Sequence, residues 1–196
     1  MLEFFNTLFG QIIVQSIGFV AMALGIASFQ RKKRNSIIAF QMSASSLWML
    51  QFILLGGYTG AIQNGIAIVR GAFFAQKDRL RWVSSRITPA IFITAFIIAG
   101  IFTFGAEGPI TLLPVAAMII QTVALFCNNE NRIRYLSLMV SPLWLIYDFR
   151  TGTVAGVICE SFTICSIIIS LIRFRTKRNT KAEDLSKDAV KDSPEQ

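Results

Sequence analysis

Ser45 to Asn64 reads SSLWMLQFILLGGYTGAIQN, and Ser141 to Glu160, 96 residues further on, reads SPLWLIYDFRTGTVAGVICE. Laid together without a gap, they match at Ser45/Ser141, Leu47/Leu143, Trp48/Trp144, Gly56/Gly152, Gly60/Gly156 and Ile62/Ile158. The register holds further out at Ala21/Ala117, Met22/Met118, Asn35/Asn131, Ile37/Ile133 and Ile68/Ile164, which makes 11 identities over positions 18–68. Apolar composition alone supplies some of the Leu, Ile and Ala coincidences, so the Trp, Asn and Gly matches carry the weight. The pattern predicts an internal duplication.

Composition says where such a repeat would live. The 196 residues are 54% hydrophobic and only 15% charged, with mean hydropathy +0.58. Soluble domains are nearer one-quarter charged, so the balance points to a membrane protein with the lipid bilayer as its surroundings. A net charge of +8 would fit nucleic acid, but Lys and Arg fall in four clusters between apolar runs, the pattern of cytoplasmic loops. Nucleic acid is therefore not the expected partner. Cys127, Cys159 and Cys165 have no metal-like spacing, and the chain contains no His, which excludes a zinc site of the Cys/His type and a Cys-His nucleophile. No repeated acidic pair or nucleophile constellation marks an enzyme, and no cofactor or metal is expected. No Lys or Arg precedes Arg31, so the first apolar run lacks the basic start of a cleavable signal and is expected to stay in the protein.

Apolar runs long enough to span, about 20 residues each, occur at roughly 8–29, 36–55, 58–76, 87–105, 109–126, 133–150 and 153–173. Arg31 to Arg34, Lys77 to Arg86, Arg132 with Arg134, and Arg173 to Lys191 then all lie on one side. That is 17 basic residues against one, Arg150, on the other, with Arg70 inside the third run. The positive-inside rule places the N-terminus outside and the C-terminus in the cytoplasm. An offset of 96 lays helices 1–3 on helices 5–7 and leaves the fourth as a linker. The expected fold is all-α: seven transmembrane helices as two parallel three-helix repeats, 8–76 and 109–173, joined by the linker helix 87–105. The charged tail 174–196 is expected to be disordered, its basic start lying against anionic lipid.

Trp48 is eight residues before Gly56 and Asn64 eight after it, so both lie about 12 Å from the turn between helices 2 and 3. Trp144, Gly152 and Glu160 repeat this, which puts two indoles and two polar groups in one layer near the middle of a core about 30 Å thick. Trp is more often packing than ligand contact at such depth, and Asn is often interhelical glue. Glu160 is harder to read as structural, because a carboxylate at the helix centre costs about 2.5–3.5 kcal/mol unless it faces protein or water, is paired, or is protonated. Gln51 and Tyr147 follow their Trp by three residues and share roughly its face. Arg70 is close enough to the end of its helix to snorkel, with pairing to Glu160 as the alternative. Asp148 and Arg150 flank the outer turn and read as a solvated face. Pro142 interrupts helix 6 two residues before Trp144, and Pro114 lies in the first turn or so of helix 5; both are candidate hinges.

The segments RKKR, SLWMLQFILLGGYTGAIQN and the Arg70 that follows resemble the YgjV-type family of bacterial inner-membrane proteins, over about residues 10–175. More distantly the layout is similar to the PQ-loop/SWEET group of transporters, which share the 3+1+3 plan. That resemblance implies a Trp pair and an Asn pair around a central pocket, mapping onto Trp48, Trp144 and Asn64, with Glu160 standing where the second Asn would be. A carboxylate there suits a cationic solute or a proton better than a plain sugar. The Pro-Gln dipeptide of the group is absent, and of the Pro that SWEET proteins favour in helices 1, 2, 5 and 6, only helices 5 and 6 contain one. The expected function is passage of a small polar or cationic solute by alternating access, with substrate-binding candidates Trp48, Gln51, Asn64, Arg70, Trp144, Tyr147 and Glu160. The alternative is an interaction or scaffold protein that keeps the fold without transport. Two repeats in one chain can close a cavity alone, so no oligomeric partner is required.

Overall fold

The computed structural model describes residues 8–31, 34–76, 87–125 and 130–169. Every element in them is helical: α1 (Leu8–Phe29), α2 (Arg34–Leu55), α3 (Tyr58–Ala75), α4 (Ile87–Glu107), α5 (Leu112–Leu125), α6 (Glu130–Thr151) and α7 (Val154–Ile169). The predicted tail 174–196, the basic clusters at 77–86 and 173–191, and Cys127 lie outside the described residues.

Polarity runs inside out relative to a soluble bundle. Leu8, Phe9, Phe102, Phe149, Phe162 and Ile169 face outward, while Gln51, Gln63, Asn64, Arg70, Thr122 and Asp148 are buried. An apolar exterior around polar interhelical contacts is what a lipid environment selects. By length and composition three helical stretches can cross a membrane: Leu8–Ser28, Asn35–Leu55 and the 38-residue Ile87–Ala124, beside the shorter apolar helix Val154–Ile169. The chain is an all-helical membrane protein.

The long stretch Ile87–Ala124 is not straight. It turns back through the 3-10 segment Gly108–Thr111, where Gly108 has φ +70° and Pro109 occupies an N-terminal position without a missing hydrogen bond. α4 and α5 are then antiparallel and close: a Cβ added at Gly100 would come within 2.5 Å of the Val115 side chain. α1 packs on α2, α2 on α3, and α5 on α6, while α3 also touches α4 and α5.

The two tight turns share two hydrogen bonds, 96 residues apart. Gly57 N–H donates to Phe52 O at 2.8 Å and Thr153 N–H to Asp148 O at 2.9 Å. Ala61 N–H donates to Gly57 O and Val157 N–H to Thr153 O, both at 3.0 Å. Gly56 (φ +78°) and Gly152 (φ +77°) hold the left-handed position that ends the preceding helix in each. Pro142 does not interrupt its helix as the sequence led us to expect. α6 is continuous from Glu130 to Thr151 with Pro142 inside it, its ring on the exposed face. Pro114 is fully buried in the first turn of α5, where a missing N–H costs nothing.

Candidate functional site

The α2–α3 and α6–α7 hairpins each present a Trp on their first helix and a polar residue on their second. Between them, with α1 and α5, lies a cavity of about 530 Å³. Trp48, Asn64, Arg70, Trp144 and Glu160 all line it. It extends from Phe52 and Asp148, near the two tight turns, to Gly25, Ser28, Ile37 and Ile38, beside the α1–α2 connection.

The indoles do not face each other across open space. Phe52 stands between them, 6.5 Å from the Trp48 ring and 6.0 Å from Trp144, nearly parallel to the latter at 29°. Tyr147 closes the cluster, 5.6 Å from Phe52 and edge-on to Trp144 at 5.9 Å. Trp144 also touches a second core, Phe92, Phe96 and Met118, and so joins the cavity wall to the α4–α5 hairpin.

Gln51 and Tyr147 stand off the cavity, one step round the helix from the Trp face. Gln51 turns to α1, where its amide nitrogen donates to Gln15 Oε1 at 3.3 Å and its head fills the space left by Gly18. The hydroxyl of Tyr147 accepts the Gly60 N–H at 2.8 Å and donates to Glu107 Oε2 at 3.0 Å. The residues four after each Trp, Phe52 and Asp148, take the cavity positions instead. Helix geometry explains the choice: i+3 and i+4 both flank residue i, and α1 or the α4–α5 turn occupies the i+3 side.

Arg70 does not snorkel. It is only 7% exposed and points inward, donating to Thr122 Oγ1 at 2.7 Å and to Gln121 Oε1 at 3.2 Å, with its guanidinium 5.5 Å from the Phe96 ring centroid. Both hydrogen-bond partners are neutral, and among the described residues no ion pair joins it to Glu160. Thr122 is itself anchored, donating to Met118 O at 2.7 Å. Asn64 spends its amide nitrogen on the Gly60 carbonyl of its own helix at 2.9 Å. The Glu160 carboxylate has the Ser141 hydroxyl as a hydrogen-bond partner.

Asp148 is the main correction to the sequence reading. Its nearness to the turn implied a solvated side chain, yet it is 4% exposed and lines the cavity, while Arg150 is exposed as expected. Gly156 is the cause. A Cβ there would fall 2.5 Å from Asp148 Oδ2, so the missing side chain makes room for the carboxyl to fold inward. Gly60 does the same for Phe52, whose ring carbon would lie 3.0 Å from an added Cβ.

Beyond Phe52 and Tyr147, towards the turns, the packing is closed by hydrogen bonds between distant segments. Glu107 Oε1 accepts the Thr59 N–H at 2.7 Å, capping the start of α3 with a carboxylate where the helix dipole favours one. The Thr59 and Thr111 hydroxyls are 3.2 Å apart and both fully buried. Gln15 does the equivalent job at the other turn: its Oε1 accepts the Val154 N–H at 3.0 Å and its nitrogen donates to Gly152 O at 2.8 Å. Glu107 and Gln15 carried no signal in the sequence, since each acts on a segment far along the chain. Phe52 and Asp148 were findable, because their offset of 96 and their spacing of eight before Gly60 and Gly156 are both in the sequence.

Comparison with known proteins agrees with the membrane reading. A family model described as bacterial inner membrane protein, Imp-YgjV, matches residues 12–178. Inner membrane protein YgjV of Escherichia coli (strain K12) is 26% identical over 162 residues, covering 83% of this chain and 84% of that protein. No solved structure matches.

Proposed function

The chain belongs to the Imp-YgjV family of bacterial inner membrane proteins, and from that premise we propose that it carries a small polar solute across the membrane by alternating access. The observation that supports this reading is the cavity of about 530 Å³, walled by a Trp and a polar residue from each hairpin. A volume in the range of small-molecule sites, bounded by aromatic faces and a few convergent polar groups, is the usual form of a solute pocket. A collapsed interior, or an Arg70–Glu160 pair sealing it, would have favoured a scaffold without transport.

The architecture we propose is seven spans in the 3+1+3 plan, α1–α3 and α5–α7 as parallel repeats with α4 between them. Its support is the shared set of turn hydrogen bonds 96 residues apart and the paired Gly-for-side-chain contacts at Gly60 and Gly156. The basic clusters put the α1–α2 connection in the cytoplasm and both tight turns outside. In that orientation the conformation is closed on the outer face by Phe52, Tyr147 and the Glu107–Thr59 contact, and the cavity reaches towards the cytoplasm. Opening the outer face requires those contacts to part, with buried Pro114 and mid-helix Pro142 as the places where helices can bend. Trp48 and Trp144 hold the solute by stacking, Asn64 and Glu160 by hydrogen bond and charge, and Arg70 forms the inner wall.

A panel of sugars, amino acids, polyamines and nucleosides, scored by thermal stability of the purified protein, tests the reading. A ligand at 100 times its Kd adds about 2.7 kcal/mol of stability. That gain is expected to vanish in Trp48→Ala/Trp144→Ala. No stabilisation by any compound, with the double variant well folded, would leave the scaffold reading in its place.

A further inference from the structure

Resting on the carrier reading, we infer that the solute is an organic cation of the primary alkylammonium class, held by the carboxyl pair Asp148 and Glu160 inside an aromatic wall of Trp48, Phe52 and Trp144. Both carboxyls line the same cavity. Asp148 rests against Gly156, and Glu160 is four residues further along α7, one turn deeper on the same face, so the two groups are neighbours across the α6–α7 packing. They act on each other electrostatically.

The pair is short of donors. Asp148 Oδ1 is buried with no hydrogen-bond partner, and a buried acceptor left so is destabilising. Glu160 has the Ser141 hydroxyl. Arg70, the cavity's basic group, is held by Thr122 and Gln121 and sits six residues along α3 from Asn64, about 9 Å of helix rise below the polar layer. It offsets one of the two negative charges at a distance and contacts neither carboxyl. With both carboxyls ionised, two acids and one Arg leave the cavity one positive charge short of balance, which a monocation supplies.

Chemistry of the walls separates the kinds of cation. A divalent metal needs six or more oxygens, or clustered His and Cys, and among the described residues no group of three or more such side chains is assembled. Indole and phenyl faces instead attract an ammonium through their quadrupoles, Trp most strongly. Phe52 and Trp144, stacked at 6.0 Å, line the same cavity as Asp148. An ammonium N–H donating to the Asp148 carboxyl, with its alkyl chain along those rings, uses the features of this end of the cavity.

Titration of the full chain in lipid nanodiscs with n-butylammonium, glucose and butyrate at fixed ionic strength, followed by tryptophan fluorescence, tests the assignment. Saturable quenching is expected with n-butylammonium alone, weakened tenfold or more in Asp148→Asn and again in Glu160→Gln, and unchanged in Arg150→Gln on the exposed face. Because Glu160→Gln probes the pair separately, misfolding of one variant does not shelter the idea. Saturation by glucose or butyrate but not by n-butylammonium would overturn the cation assignment and leave a carrier of another solute. Wild-type affinity in both carboxyl variants would overturn the pair's role. Silence from all three probes would remove the cation assignment, and silence across the wider solute panel would remove the carrier reading as well.

Discussion

In the α2–α3 hairpin Phe52 rests on Gly60, and an amide, Asn64, lies one turn deeper; in the α6–α7 hairpin the same two places hold Asp148 on Gly156 and the carboxyl of Glu160. The turns that connect the helices are alike to within 0.1 Å in their closing hydrogen bonds, 2.8 and 2.9 Å. So the backbone frame is common to both, and the chemistry at the cavity end of each helix pair is not. Glycine and Trp positions carry the frame. The i+4 residue and the second-helix polar residue carry the difference, one hairpin offering an apolar face and the other negative charge. A cavity built this way has two unlike walls although the turns behind them are alike.

The sharpest way to break the comparison is to fill the two glycines. In Gly60→Ala the new methyl would lie 2.7 Å from Tyr147 Cε1 and 3.0 Å from the Phe52 ring, rigid atoms already packed on several sides. We expect a loss of about 3 kcal/mol, at the upper end of overpacking costs. Gly156→Ala meets a carboxylate that rotates about its own bonds, and a smaller loss, about 1 kcal/mol, is expected. Reversible unfolding in mixed micelles measures both. Equal losses would mean that Asp148 is as tightly held as Phe52, contrary to its unpartnered Oδ1.

A second contrast lies one residue earlier, at Gln51 and Tyr147. Tyr147→Phe strands the Gly60 N–H and one Glu107 oxygen in the interior, and about 2 kcal/mol of stability should go with it. Gln51→Met removes a single hydrogen bond of 3.3 Å together with an acceptor, Oε1, that has no partner. Losing one weak bond and one unmet group nearly cancels, so a change within about 0.5 kcal/mol is expected from the same unfolding measurement. A large loss at Gln51 would show that its fit against Gly18, not its polarity, is what matters.

How much of this was readable beforehand follows from the range of each interaction. Helix positions came through because apolar runs and the glycines at 56 and 152 are local signals. α1 begins and ends at residues 8 and 29 in both readings. The common layer of Trp48, Asn64, Trp144 and Glu160 came from spacing alone, and the four do surround one cavity. Asp148 misled because polar residues beside a turn are usually wet, and its burial depends on Gly156, eight residues on. Gln51 and Tyr147 misled because period 3.6 does not distinguish i+3 from i+4 until a neighbouring helix takes one side. Pro142 misled because a helix can continue past a proline at the loss of one backbone hydrogen bond. For Arg70 the sequence offers snorkelling, a pairing with Glu160 or a place in the site, and only the α3–α5 contact shows that Thr122 and Gln121 offer it oxygens within the protein.

A pair of modest effects tests the likeness of the two turns most directly. Gly56 and Gly152 both sit in the left-handed region, φ +78° and +77°, and a Cβ at either would have no atom within 4 Å. Space is therefore not an issue, and only backbone strain separates Ala from Gly at these places. Gly56→Ala and Gly152→Ala should each cost about 1 kcal/mol. Because the two turns touch, a Cβ at Gly57 lying 3.1 Å from Thr151 Cγ2, the double variant should depart from the sum by about 0.5 kcal/mol or more. Equal single costs are what two copies of one turn require, whatever the side chains around them have become. A twofold or greater disparity between the singles would mean that one turn relaxes out of the left-handed conformation in the membrane. The matched hydrogen bonds would then no longer argue for two repeats of one frame.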